Sequence, residues 1–139
     1  MSEITSDLAL SSWELQSFNR WFLEQDKMKA FPTFKLLGVG GNVVAAEGFL
    51  KTQVGNTYGL RIELKNFPYQ RPDIFPKGWT PHVYAPHRFN NGSLCIMRAD
   101  QWRKHFTIAL VIQKAAVWLA KYEIWQGNNH DWPGLEQRH

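Results

Sequence analysis

The sequence predicts an α+β domain: an N-terminal helix, a four-stranded antiparallel meander, a loop carrying the lone cysteine, and a long C-terminal helix. Three observations predict it. Ser11 and Glu14 form a capping-box pattern in front of an apolar, helix-spaced segment. Three strand candidates then follow one another with turns too short for crossover connections. Beyond them, residues 108–125 repeat apolar side chains at helical spacing. Helices outside an uninterrupted run of strands make an α+β arrangement rather than alternating βαβ units.

Residues 1–10 are short and polar and are expected to be loosely held. In the helix that follows, Trp13, Phe18, Trp21 and Phe22 form the expected apolar stripe, with Glu14, Asn19 and Asp26 outward. Its charges Glu14, Arg20, Glu24 and Lys27 suit an ordinary solvated face and assign no partner. Phe31 and Pro32 end it. The strands are predicted at 34–39, 43–51 and 58–64. Gly38, Gly40, Gly41 and Asn42 supply the first turn, and residues 53–56 the second. The third strand alternates Leu60, Ile62 and Leu64 with Arg61, Glu63 and Lys65, as a half-buried strand does.

The character changes between residues 67 and 86, where Pro68, Pro72, Pro76, Pro81 and Pro86 exclude a helix interior. An extended segment is expected there, pinned by Phe67, Tyr69, Phe75 and Trp79, with a short fourth strand near residues 82–84. A loop at 98–102 follows the cysteine. Thr107 then caps the last helix, whose buried face is predicted as Ile108, Val111, Ile112, Ala115, Leu119, Tyr122 and either Ile124 or Trp125. Gly127 stops it. Residues 128–139 are polar apart from Trp132, Pro133 and Leu135, and read as a second loosely held tail of one domain spanning 1–139.

The chain has 139 residues, 44% of them hydrophobic, enough for a sound core without staples. Seven tryptophans supply large anchors for the core or an interface. A net charge of +4 is modest and scattered, its nearest approach to a cluster being Arg98, Arg103, Lys104 and His105. That distribution makes nucleic acid an unlikely partner and suits acidic proteins as well. No apolar run is long enough to span a membrane, and none sits behind a positive N-terminal region. One cysteine without an export signal fits the reducing cytoplasm. One cysteine and five dispersed histidines also lack the spacing of a closed zinc site, so no metal or other cofactor is expected.

Cys95 is that one cysteine. It packs as a small hydrophobe between Leu94 and Ile96, binds something weakly, or reacts. The polar turn Asn90-Asn91-Gly92-Ser93 runs straight into it, which favours an accessible, reactive thiol.

With these elements in order, the sequence resembles the ubiquitin-conjugating enzymes over residues 11–125. Phe67-Pro68-Tyr69-Gln70-Arg71-Pro72 is similar to the family's Tyr-Pro-x-x-Pro-Pro segment. Residues 85–96, ending Asn90-Asn91-Gly92-Ser93-Leu94-Cys95-Ile96, are similar to its His-Pro-Asn segment and Gly-x-(Ile/Leu)-Cys-Leu active site at the same spacing. Trp102, seven residues past the cysteine, and Thr107-Ile108 fit as well. Two departures stand out. His87 occupies the asparagine position and Ala85 the histidine position of His-Pro-Asn. Only 44 residues follow Cys95, little room for the usual pair of C-terminal helices. Both departures, with Trp125 and Trp132-Pro133-Gly134 near the end, resemble the short bacterial relatives encoded in CBASS antiphage operons or beside bacterial ubiquitin-like proteins and activating enzymes.

The resemblance implies a UBC-like fold with a shortened C-terminus and an acyltransferase chemistry. Cys95 would carry a protein's C-terminus as a thioester and pass it to an acceptor. The implied partner is a protein with a C-terminal tail, either a cGAS/DncV-like nucleotidyltransferase or a ubiquitin-like protein, with a separate activating enzyme where one is needed. His87 would steady the developing oxyanion or hold the active-site loop, as the family's asparagine does. Around them, His82 reads as structural, and His105 as either a positive neighbour of the thiol or a solvated loop residue. Asp100 reads as either an orienter of an incoming lysine or a loop cap. Trp102 is expected under the active-site loop, and the adjacent His130-Asp131 pair in a mobile tail. A non-catalytic binding module on the same fold is the competing reading, and a cysteine hydrolase a third.

Overall fold

Alternation along one strand decides which face of the sheet is buried. In the computed structural model, which describes residues 8–17 and 19–134, strand β3 (Thr57–Glu63) turns Leu60 and Ile62 into the core and Arg61 outward. Strands β1 (Lys35–Val39), β2 (Asn42–Lys51) and β4 (Asp73–Lys77) complete a four-stranded antiparallel sheet in the order β1-β2-β3-β4. The register Ala46↔Ile62↔Ile74 sets three fully buried side chains in one row. On the opposite face Arg61 and Lys77 both meet the Glu47 carboxylate. Gly48 lies under Phe34, where a Cβ would stand 2.6 Å from the ring, so only glycine lets that ring cover the sheet.

The fourth strand is Asp73–Lys77, and residues 82–84 are not a strand. Edge geometry explains how a strand can contain Pro76. The Ile74 carbonyl points away from β3 and accepts the Leu94 N–H at 2.8 Å. Two residues on, the Pro76 nitrogen faces the same outward way, where the ladder needs no donor. Residues 82–85 form a turn closed by the Ala85 N–H and the His82 carbonyl, and Val83 and Tyr84 are exposed. Within the proline-rich segment Phe67 and Trp79 pack on the core, whereas Tyr69 is exposed and pins nothing.

The N-terminal helix is two helices, α1 (Ser12–Ser17) and α2 (Arg20–Lys27), the second running on into a 3-10 turn at Met28–Ala30. The Ser11–Glu14 box forms in both directions, at 3.0 and 3.1 Å. Asn19 restarts the helix, its side-chain oxygen accepting from the Trp21 and Phe22 N–H groups. This restart shifts the helical phase. Trp13 and Phe22 are exposed, Trp21 packs on the core, and Leu23 and Glu24 are buried. Phe18 of the expected stripe lies outside the described residues.

Glu24 and Arg20 are therefore not a solvated face. The fully buried Glu24 carboxylate accepts the Ile108 N–H at 2.8 Å and Arg20 Nε at 2.7 Å. The rest of the Arg20 fork donates to the Lys104 and Phe106 carbonyls, both at 2.6 Å. Burial pushes the Glu24 carboxyl up, against the lowering pull of the Ile108 amide and of Arg20. The pair joins α2 to the start of α3 (Ile108–Gly127), where Glu24 serves as an acidic cap supplied from another helix.

Helix α3 enters the middle of the molecule: its first five residues are all buried. Thr107 caps it by accepting the Leu110 N–H, and its own hydroxyl bonds the Leu8 carbonyl. Trp125 faces inward and Ile124 outward, and Trp118 joins the buried face that sequence periodicity left it out of. Further along, the Glu123 carboxylate takes Thr52, Asn56 and Tyr58, each at 2.9 Å, and pins the helix to the β2–β3 turn. Burial, with Glu123 beside it, pushes the Tyr58 hydroxyl up to about 12. At the described ends of the chain, packing replaces the expected looseness. Leu8, Leu10 and Trp132 are buried, and the Leu10 N–H bonds the His105 carbonyl at 2.8 Å. Residues 1–7 and Leu135 lie outside the described residues.

Glu24→Ala should cost about 3 kcal/mol, because it strands the Ile108 N–H and removes the counter-charge and the Nε acceptor of Arg20. Glu123→Ala should cost about 1 kcal/mol, since its partners reach water. Urea unfolding of both variants against the wild type checks the ranking.

Candidate active site

The approach to Cys95 is a hairpin built by a turn and one bridge. The Gly92 N–H bonds the Phe89 carbonyl at 3.0 Å, which puts Asn90 and Asn91 at the turn's centre, and Gly92 has φ +91°. Asn91 locks the turn: its side-chain oxygen accepts the Ser93 N–H at 3.0 Å and the Ser93 hydroxyl at 2.6 Å. The arms pair through the Phe89 N–H and Ser93 carbonyl and through an antiparallel bridge between Arg88 and Leu94. The Leu94 N–H to Ile74 contact hangs the hairpin on the edge of β4.

At its base the two residues singled out by sequence come together. The Cys95 N–H donates to the His87 carbonyl at 2.8 Å. The same carbonyl accepts the indole N–H of Trp118, from α3, at 3.0 Å. His87 has φ +58°, a left-handed conformation that histidine and asparagine tolerate better than most residues. Its side chain is buried, with the ring centroid 4.8 Å from that of Trp132, and Trp132 in turn lies 5.5 Å from Trp118.

The polar turn does not bring the thiol to the surface. Cys95 is 5% exposed and Leu94 1%. The hairpin lies against the sheet edge, so the residues at its foot face protein even though its tip is polar. Burial pushes the Cys95 thiol up, and the Arg71 and Arg98 guanidiniums pull it down. These two arginines, and not His105, are the cations that act on it. Arg71 is fixed by the Met97 carbonyl at 3.1 Å, by Asp73 at 3.3 Å, and over the Phe89 ring at 4.5 Å. Arg71 and Asp73 also line an open cleft of about 480 Å³ on the outer side of the sheet, together with Arg61 and Lys65.

The remaining candidates are placed as follows. His82 is exposed, its Nδ1 accepting the Tyr84 N–H at 3.1 Å. The His105 ring lies 4.7 Å from Phe106. Asp100 is exposed and pairs with Arg98 at 3.1 Å. Trp102 is buried, its indole N–H donating to the Pro68 carbonyl at 2.7 Å, so it braces the proline-rich segment. His130 stacks on Trp125 at 4.1 Å and 15°, so the His130-Asp131 pair belongs to a packed turn and not to a mobile tail. Among the described residues no group of three or more His, Cys, Asp or Glu could hold a metal ion, and no helix is long and apolar enough to cross a membrane.

Sequence reasoning missed Arg71, Trp118 and Trp132. Arg71 stood inside the proline-rich motif used for the resemblance, so its place was legible and its role was not. Trp118 falls one residue before Leu119 on a helix buried on several sides, where a single stripe is the wrong template. Trp132 gave only the signal of a large aromatic in an otherwise polar tail.

A thiol held up by burial should alkylate slowly at neutral pH. Its rate with iodoacetamide should still be climbing past the pH at which an ordinary thiol, near 8.5, is half ionised. Arg98→Ala should slow it further at pH 8, since a lowering charge is lost. A rate that levels off by pH 8 would contradict this electrostatic account.

Two comparisons bear on what such a site is. No curated protein sequence matches the chain. The family model described as "Type II CBASS E2 protein" matches residues 24–139, a span that takes in the whole sheet, the hairpin with His87 and Cys95, and α3 with the packed turn beyond it. A sheet and long helix of E2-like arrangement, matched over that length, place the chain in a bacterial family: it belongs to the Type II CBASS E2 proteins, the conjugating-enzyme-like members of CBASS antiphage operons.

Proposed function

We propose that Cys95 carries the C-terminus of a protein as a thioester and transfers it to an acceptor amine. The observation that carries this reading is the 2.8 Å bond from the Cys95 N–H to the His87 carbonyl. It joins the backbone of the residue that bears the chain's one thiol to that of the residue at the asparagine position of the resembled motif. In the first step the Cys95 sulfur, having lost its proton, attacks an activated acyl carbon and displaces the activating group. In the second step an amine nitrogen attacks the thioester carbon, loses a proton, and Cys95 leaves as thiolate. An imidazole N–H at His87 would donate to the oxyanion of either step. The acyl donor is a cGAS/DncV-like nucleotidyltransferase of the same operon, or a ubiquitin-like protein, activated by a separate enzyme where the donor is not already activated.

The buried thiol requires that donor binding open the foot of the hairpin. The same burial supports the second reading, a binding module that regulates a partner and uses Cys95 for packing. Co-purification with the operon's nucleotidyltransferase, followed by intact mass under non-reducing conditions, separates them. Transfer predicts a thiol-labile adduct that vanishes in Cys95→Ala. A binding module predicts no adduct and equal binding by Cys95→Ala. A cysteine hydrolase would instead release the partner's C-terminal tail.

His87→Ala should slow discharge by about 100-fold, the loss typical of one oxyanion donor. His87→Asn should lose less, because asparagine also tolerates the left-handed backbone and also donates. Equal rates in all three proteins, read as thioester lifetime with a lysine acceptor, would remove His87 from the chemistry.

A further inference from the structure

We infer that Trp132 is a positioning residue for His87, an inference that rests on the thioester reading above. Past the end of α3 the chain turns back on itself. The His130 N–H reaches the Trp125 carbonyl at 3.0 Å and the Asp131 N–H the Asn128 carbonyl at 3.0 Å. Asn129 and His130 both take left-handed backbone conformations, at φ +50° and +60°. Two such non-glycine residues in succession are unfavourable on their own and persist only where surrounding contacts hold them. The contact here is the His130 ring stacked on Trp125 at 4.1 Å. The result is a strap that sets Trp132 down on the His87 imidazole, at 4.8 Å, and on Trp118, at 5.5 Å. Trp118 holds the His87 carbonyl from below, at 3.0 Å. Backbone and ring of His87 are thus fixed by two different tryptophans, one from the helix and one from the strap.

What Trp132 supplies is its ring. Its indole N–H is buried and makes no hydrogen bond among the described residues, so none of their polar groups explains why the side chain is there. A phenyl ring could therefore cover the imidazole as well, without burying an unused donor. A tryptophan present only to fill the core would not predict that the effect of its removal runs through His87.

The test compares Trp132→Ala, Trp132→Phe, His87→Ala and the His87→Ala/Trp132→Ala double variant in discharge of the Cys95 thioester to free lysine. Trp132→Ala should slow discharge by roughly 10- to 100-fold, the scale of a misaligned catalytic group. Trp132→Phe should restore the rate to within about threefold of wild type. The double variant should match His87→Ala within about twofold, because a residue that acts through another adds nothing once that other is gone. An unchanged rate in Trp132→Ala, or losses that multiply in the double variant, would overturn the inference. If the wild type forms no thioester, the thioester reading fails by itself, and the ¹⁵N signals of the His87 ring decide the positioning. A single tautomer in wild type and Trp132→Phe that becomes an averaged mixture in Trp132→Ala supports it. The same signature in all three refutes it.

Discussion

One backbone carbonyl, that of His87, organises the end of the molecule that carries Cys95. It accepts two hydrogen bonds, from the Cys95 amide and from the Trp118 indole, and so joins the two arms of the hairpin to the central helix. At the point where this carbonyl faces both donors, His87 adopts a left-handed backbone. That conformation gives a physical reason why histidine stands where the conjugating enzymes resembled by the sequence have asparagine. Both tolerate the conformation, and both carry a hydrogen-bond donor. The constraint on this position is conformational.

Around that carbonyl the site is closed. The thiol and the imidazole are both buried, and burial works against the thiolate. Arg71 and Arg98 pull the other way without removing the penalty. A resting thiol that stays protonated resists adventitious oxidation and alkylation, which depend on thiolate and access. On the thioester reading proposed above, reactivity would wait on a partner that brings its acyl carbon and displaces the covering residues. Arg71, one of these two arginines, is held by Met97, Asp73 and Phe89 at once, so part of the electrostatics of the thiol is built into the proline-rich segment. Trp102 braces the same segment from its other side through the Pro68 carbonyl.

Much of this was legible in the residues, and the failures share a cause. Alternation at Leu60, Arg61, Ile62 and Glu63 announced a half-buried strand, and the structure places those side chains accordingly. Periodicity from Ile108 to Trp125 announced α3, and Asn90 to Ser93 announced the turn. What stayed hidden depends on contacts far apart in sequence. Glu24 looks solvated until Ile108, 84 residues away, arrives to use its carboxylate. Pro76 argues against a strand until the edge position leaves its nitrogen facing outward. Cys95 looks accessible beside a polar turn until the hairpin is laid against β4. Trp132 looks like part of a tail until the strap folds it onto His87. Local pattern reports local structure, and the depth of a side chain is a property of the assembled fold.

The central claim, that the Trp118 to His87 bond holds the Cys95 loop in place, is tested most directly by amide hydrogen exchange at Cys95 in Trp118→Phe. Losing one hydrogen bond of about 1–2 kcal/mol should speed that exchange by roughly 5- to 30-fold, while the amides of Leu60 and Ile62 in β3 keep their protection. Unchanged exchange at Cys95 would show that the loop is held by something other than this carbonyl, and would contradict the account.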